Sequence, residues 1–424
     1  MDDIQLFNAD VLRSPHALNK RLREQPVYFA KELGFHVVAR YNLVREVLLD
    51  PKTYSSRITD FFQKPLTMRF EAASPETQEK ITHIREQLVH EPETMITLDR
   101  PEHAMYRSVV DKLFTVSRIK SAEGATQKVI DKILDAAGGE RQSSESHPVE
   151  FISKIAFPIP MTVIRERMGV PDADRELFER GAKIAGDTLH MRMYDDEELV
   201  NRGQIDLDLQ RMLLRILDER HREPRDDMIS ILANARLEAE DRPLTRGEAV
   251  SILRQFLVAG QETAASALGW GMLALCEHPE LQDELYANPD RISAFCEEIL
   301  RYESPVQLLP RIVTADTELG GYPLKAGDVV MVRYGGANRD ERTFEAPDEI
   351  VMDRAKIGMH MAFSAGIHYC IGAPLARQEM NLGFASIIKR MKNFTLDPDK
   401  PEPEAEPSFV MRCLRHLHMR FEWR

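Results

Sequence analysis

The longest apolar stretch of the chain runs from Ala249 to about Leu275, AVSILRQFLVAGQETAASALGWGMLAL. Just before it, Thr245 and Glu248 have the spacing of a capping box, in which each side chain bonds the other residue's backbone amide at a helix start. A helix apolar on nearly every face is either buried inside a protein or spans a membrane. Arg254, Gln255, Gln261 and Glu262 interrupt this one and no second span accompanies it, so the pattern predicts a buried central helix. Between Pro75 and Pro305 most segments are amphipathic and punctuated by Pro and Gly, which predicts further helices. Period-two, β-rich patterns are confined to Phe35–Tyr41 and Thr317–Val332, the second turning as a hairpin at Gly320-Gly321. The polar stretch from about Arg57 to Leu98 reads as a long, mobile loop. Gly138 to His147 is the most linker-like segment but too short to divide the chain, and no internal repeat is visible. The expected fold is mainly α with small β-sheets, in a single domain over 1–424.

Within the central helix, Gly260-Gln261-Glu262-Thr263 breaks the apolar pattern. Glycine weakens a helix by about 1 kcal/mol relative to alanine. A threonine hydroxyl can bond the carbonyl four residues back, here Ala259. An acid in a buried helix is costly to desolvate unless partnered. Two readings stay open: a kink with a solvated acid, or a widened groove where an acid and an alcohol deliver protons.

Charge and cysteine usage narrow the function classes. With 56 basic and 69 acidic side chains the formal charge is −13, which argues against nucleic acid or an anionic membrane as the main partner. The 4 cysteines form no CxxC pair, so neither a disulfide scaffold nor a cysteine zinc site is expected. The first twenty residues contain no apolar run that would serve as a signal peptide or anchor, and a cytoplasmic location is the expectation. No GxGxxG follows a strand signal, so no dinucleotide site is expected and any electrons must come from outside.

The chemistry is concentrated in Phe363 to Gly372, FSAGIHYCIG, which leads into an apolar helix. A thiolate at a helix N-terminus is stabilised by the dipole and the free amides, which suits it to bind a metal. A lone cysteine is more often a small buried hydrophobe, but the spacing Phe-x-x-Gly-x-His-x-Cys-x-Gly is far rarer. With this segment the chain resembles the cytochrome P450 haem-thiolate monooxygenases. Glu298-Ile299-Leu300-Arg301 is similar to the family's Glu-x-x-Arg helix, and Ala259-Gly260-Gln261-Glu262-Thr263 to its oxygen-binding helix. Asp99-Arg100-Pro101-Glu102-His103 leading to Arg107 resembles the bacterial C-helix pattern, and Gly335-Gly336-Ala337-Asn338-Arg339-Asp340 the loop that precedes the cysteine segment. The motifs follow the family's order along essentially the whole chain.

The resemblance implies haem b, with Cys370 as axial ligand of the iron, Phe363 beside the sulfur, Gly366 allowing close backbone approach, and Gly372 completing the haem-binding loop. His103, Arg107, Arg311 and His368 stand where the family supplies partners for the haem propionates, and Ala259 and Gly260 where its oxygen-binding helix passes the cofactor. Glu262 and Thr263 would be the catalytic acid–alcohol pair. Glu298 and Arg301 would form a structural pair whose third member, an arginine, is left open between Arg354 and Arg339, because Glu349 stands where the family often has arginine. Ser364 replaces the usual glycine after the phenylalanine, and Glu262 the commoner aspartate.

Phe256, Val306, Leu308, Leu309, Val410 and Met411 are candidate pocket residues, with Leu253 and Leu257 as readily core; the inventory implies a small hydrophobic substrate. Arg69, His83 and Arg85 read better as solvated surface than as an anion site. By the same resemblance the activity expected is O2-dependent hydroxylation, with electrons from an iron–sulfur ferredoxin and its flavin reductase. Such a partner is acidic, and Arg100, Arg107, Lys112, Arg118, Lys120, Arg377, Lys389 and Arg390 are the cations available to meet it. A peroxide-driven peroxygenase or a haem-binding sensor on the same fold are the alternatives; retention of Glu262-Thr263 argues against the first.

Overall fold

A computed structural model describes residues 6–137, 146–187, 190 and 194–424. Most of the linker-like stretch Gly138 to His147 lies outside the described residues; His147 opens a strand, His147–Glu150. The chain folds as two compact units. One comprises Met1–Tyr54, Val116–Pro160 and Glu262–Arg424, the other Ser55–Thr115 and Met161–Gln261.

The larger unit carries the sheets. Its five-stranded sheet has the order Tyr28–Ala30, Phe35–Val38, Val329–Arg333, Leu308–Val313 and the short edge Tyr54–Ser55. Val330 pairs in parallel with His36 and antiparallel with Arg311. The Thr317–Val332 expectation is met: Thr317–Leu319 and Tyr322–Leu324 form the hairpin, with Gly320 and Gly321 both at positive φ, and Val329–Arg333 follows. Phe35–Tyr41 is strand only to Val38, because Tyr41 begins the helix Tyr41–Leu49. A second sheet places His418–Trp423 between Met391–Leu396 and His147–Glu150.

The unit's main core gathers the second half of the central helix, the helix Ile292–Glu303 and the helix Ala373–Arg390 around Leu268, Leu275, Phe295, Phe384 and Ile387. Phe295 and Phe384 meet edge to face at 5.2 Å. Gly271 makes that contact possible, since a Cβ there would lie 2.5 Å from the Phe384 ring.

The smaller unit is mostly helical. The stretch Arg57 to Leu98, expected as loop, instead forms the helix Thr59–Glu71, the helix Pro75–Arg85, with which the region expected to be mostly helical from Pro75 begins, and a 3-10 turn at Met95–Thr97. Their faces are largely polar and Pro65 sits inside the first, so the apolar periodicity that would have revealed them is weak. The long helix Asp196–Arg222 starts at a complete capping box between Asp195 and Glu198. Gln210 on this helix accepts from the Val89 amide at 2.7 Å and donates to the Val89 carbonyl at 2.9 Å, fixing the strap that follows Arg85.

The central helix is Arg246–Glu277, with its first half in the smaller unit and its second in the larger. The Thr245–Glu248 capping box forms as expected: the Thr245 amide donates to Glu248 at 2.7 Å and the Glu248 amide to Thr245 Oγ1 at 3.2 Å. Glu248 also accepts from Tyr106 and Arg242, which closes the buried carboxylate's hydrogen bonding. Among the described residues no helix is long and apolar enough to cross a membrane.

Candidate active site

In the larger unit the cysteine segment is a loop folded back on itself. The Cys370 amide donates to the Phe363 carbonyl at 2.9 Å, a 3-10 turn covers Gly366–His368, and the helix Ala373–Arg390 begins three residues after the cysteine. Cys370 is half-buried. Burial pushes the thiol of Cys276, itself half-buried, up to about 12 and raises those of Cys296 and Cys413 further, so these three stay protonated.

Gly366 has φ +71, and a Cβ on it would strike the Leu48 carbonyl at 2.3 Å. Its glycine is thus required by backbone conformation and by this neighbour, a reason separate from cofactor clearance. Ser364, where the family has glycine, also sits in the left-handed region at φ +62.

Phe363 is held from its outer face. Arg377 lies over its ring at 4.5 Å and grips Glu297 with two bonds of 2.6 and 2.9 Å. The Glu297 carboxylate also meets His360 Nε2 at 3.0 Å, while His360 Nδ1 accepts from the Ala362 amide. Burial works against the charge on Glu297, but the hydrogen bonds from Arg377 and His360 outweigh it and bring the group down to about 2. Nothing in the sequence pattern singles out Glu297, His360 or Arg377 as one cluster.

Glu298 and Arg301 pair at 2.8 Å with both side chains wholly buried. The third arginine is Arg354, whose Nε reaches both Glu298 oxygens at 2.9 and 3.1 Å. Arg339 is committed elsewhere, stacked 3.6 Å over Tyr302 and bonded to Asp348 at 3.0 Å. Glu349 contributes only its carbonyl, which accepts from both Arg301 and Arg354. Asn338 joins this cluster to the cysteine segment: its carbonyl accepts from Arg301 and its side chain from the Met361 amide.

Arg311 on the strand Leu308–Val313 is 4% exposed, and its Nη1 donates to the carbonyl of Pro310 at 2.8 Å. Among the described residues no carboxylate pairs with it. A buried guanidinium without a counter-charge is costly, and an anionic group at this place would remove the cost. His368 is half-buried in the 3-10 turn of the same unit.

In the smaller unit His103 and Arg107 lie one turn apart on the helix Glu102–Asp111. Burial first, then Arg107 and Arg100, lower the His103 pKa, so this histidine offers a hydrogen bond rather than the positive charge expected of it. Arg107 reaches Asp111 at 2.8 Å. Ala259 is exposed and Gly260 half-buried in a helix whose neighbours Leu253, Phe256 and Leu257 are core, with Phe256 edge-on to Phe114 at 5.3 Å. In the larger unit Glu262 and Thr263 are half-buried, and the helix runs through them unbroken.

Of the other pocket candidates, Leu308 and Val410 have no exposed surface and Met411 almost none, whereas Val306 and Leu309 are half-buried. The fold brings two segments together here: Val306 bridges to Met411, and the Gln307 amide donates to the Val410 carbonyl at 2.7 Å.

Comparison with known proteins decides the family. The cytochrome P450 profile matches residues 12–418. The chain belongs to the cytochrome P450 family. It is 32% identical over 341 residues to the polyketide biosynthesis cytochrome P450 PksS of Bacillus subtilis, 80% of each chain. It is 30% identical over 328 residues to the 6-deoxyerythronolide B hydroxylase of Saccharopolyspora erythraea, covering 77% of this chain and 78% of that one. Among solved structures, cytochrome P450 CYP109Q5 from Chondromyces apiculatus superposes with a TM-score of 0.82 at 30% identity, over 100% of this chain and 99% of that one. This P450 is therefore a haem-thiolate monooxygenase that uses O2 and an organic substrate. The donors in the larger unit suit such a group: a half-buried cysteine at a helix start, and a buried arginine lacking an anion.

Proposed function

We propose that this P450 hydroxylates a small hydrophobic molecule, using haem b held by Cys370 and electrons from an external iron–sulfur ferredoxin. The observation that supports it most is the placing of the four cysteines: Cys276 and Cys370 are both half-buried, but only Cys370 stands just ahead of a helix, Ala373–Arg390, while burial keeps the other three as thiols. When bound, the haem supplies O2 activation, so that RH + O2 + two electrons + two protons gives ROH + H2O.

The chain's own residues do the rest. Cys370 would hold the iron through its sulfur, with Phe363, pinned under Arg377, beside it in the same loop. Arg311 and His368 in the larger unit, and Arg107 and His103 in the smaller, would each be candidates to bind a propionate, Arg311 gaining the counter-charge it lacks. Glu262 would take up protons from solvent, and Thr263 beside it on the helix would offer a hydroxyl to pass them on. Val306 and Leu309 offer the apolar surface for the substrate.

Cys370→Ser tests the reading. The reduced carbon-monoxide complex of the wild type should show the red-shifted band of thiolate ligation, and the variant should lose it, while Cys276→Ala, Cys296→Ala and Cys413→Ala keep it. A Cys370→Ser protein that retains the band would remove the assignment.

A further inference from the structure

Four arginines crowd the larger unit well away from the cysteine segment in sequence. Arg23, Arg333, Arg339 and Arg412 are all buried, and His16 lies among them. Their acidic partners are Glu303, which serves Arg412 and, at 3.8 Å, Arg339; Glu341, 3.1 Å from Arg23; and Asp348, 3.0 Å from Arg339. Four positive charges thus meet three negative ones, and Glu341 and Asp348 are half exposed or more. Arg333 is the one left over. It is 1% exposed, its Nε donates to Asn19 Oδ1, and its guanidinium stands 5.9 Å from the Phe409 ring. Among the described residues no carboxylate pairs with it. Burial alone lowers its pKa to about 10, with no acid acting in the other direction.

On Arg333, on Asn19 that it bonds, and on His16 one helical turn before Asn19, three buried polar atoms have no hydrogen-bond partner: Arg333 Nη1, Asn19 Nδ2 and His16 Nδ1. All three are donors. The first two donate by their chemistry. His16 Nε2 lies 3.3 Å from Arg412 Nη2 and 3.5 Å from Arg339 Nη2; guanidinium groups only donate, so Nε2 accepts and the proton sits on Nδ1. Burial and then Arg339, Arg412, Arg333 and Arg23 push His16 down to about 2, which keeps it in that neutral form. His16 and Asn19 are one turn apart on the helix His16–Arg23, so they share a face.

We propose that Arg333, Asn19 and His16 form a buried site for a small inorganic monoanion such as chloride. A water molecule fits less well. It would accept from two of the donors but find no acceptor for its own hydrogens among them, and it would leave the Arg333 charge uncompensated. An anion accepts from all three and closes the charge balance. Arg333 ends the strand Val329–Arg333, and Arg23 donates to the Gly336 carbonyl just beyond it, so the bound anion ties the helix His16–Arg23 to the central sheet.

The test uses the haem-loaded protein. At constant ionic strength, replacing gluconate by chloride should raise the unfolding midpoint with the saturation expected for a ligand bound only by the folded state. Arg333→Met should abolish that response. Should Arg333→Met fail to fold, Asn19→Asp gives an independent reading, since its carboxylate supplies the counter-charge and should make stability insensitive to chloride without lowering it. In crystals soaked with bromide, an anomalous peak within hydrogen-bond reach of Arg333 Nη1 and Asn19 Nδ2 is expected. Equal chloride responses in the wild type and Asn19→Asp, or a bromide-insensitive water at that place, would overturn the proposal.

Discussion

Ser364 carries a side chain in a left-handed conformation, which costs an L-residue roughly 1–2 kcal/mol relative to the right-handed region. Ser364→Gly should therefore stabilise the protein by about 1 kcal/mol, measured as a higher urea midpoint, with the carbon-monoxide band unchanged. A destabilised variant would show that the Ser364 hydroxyl contributes more than its backbone strain costs. Thr263 makes a different kind of prediction. If its hydroxyl delivers protons, Thr263→Ala should consume NADH briskly, through surrogate redox partners, while product falls and peroxide rises; a purely structural threonine would leave the product-to-NADH ratio as it was. At this scale the sequence was legible where the chemistry is local. Phe363, Gly366, Cys370 and Gly372 lie within ten residues and their spacing is itself the signal. Arg354 was undecidable beside Arg339 because it meets Glu298 across 56 residues of chain, and only tertiary packing chooses between two nearby arginines.

Among the elements, the central helix and the Gly320-Gly321 hairpin could be read directly, since a long apolar run and a two-glycine turn are patterns of neighbouring residues. The helix Thr59–Glu71 could not, because its surface is mainly polar and none of it is buried. Strands such as Leu308–Val313 are six residues or fewer and gain their stability from partners far off in sequence, so local propensity does not reveal them. The helices Ile292–Glu303 and Ala373–Arg390 are joined by Glu297, which Arg377 and His360 hold in its charged form. Its folded pKa, near 2, lies below the ordinary carboxylate value of 4.5. The pair thus contributes stability above about pH 4.5 that is lost as pH falls towards 2. Acid titration of the unfolding free energy should show this loss, and Glu297→Gln should flatten the curve across that window while lowering stability at pH 7. An unaltered acid limb in the variant would place the proton uptake on other carboxylates.

For the whole molecule, the sign of the charge sets up a contest. The formal charge is −13, so an acidic electron donor is repelled at long range. Of the cations expected to attract it, Arg377, Arg390, Lys112 and Arg107 are already bonded to Glu297, Asp135, Glu238 and Asp111. Lys120 borders a surface groove of about 360 Å³ formed with Val116, Ile119, Pro374 and Leu382, where Val116 is strongly exposed. If docking there is steered by charge, the rate of reduction by an acidic ferredoxin should fall as salt rises through about 0.15 M, where screening acts within about 8 Å. Lys120→Glu should slow it at low salt without changing substrate affinity. A rate that climbs with salt would mean repulsion governs the encounter and the groove docks its partner through apolar contact. The smaller sheet carries a further consequence, for the protein during its synthesis. Its middle strand, His418–Trp423, pairs with His147–Glu150, which leaves the ribosome 418 − 150 = 268 residues earlier. At about 5–20 residues per second that is a wait of roughly 15–50 s. Throughout it, His147–Glu150 lacks its native neighbour on the nascent chain, so a message cut short before His418 would release a polypeptide with a strand ready to pair with other chains.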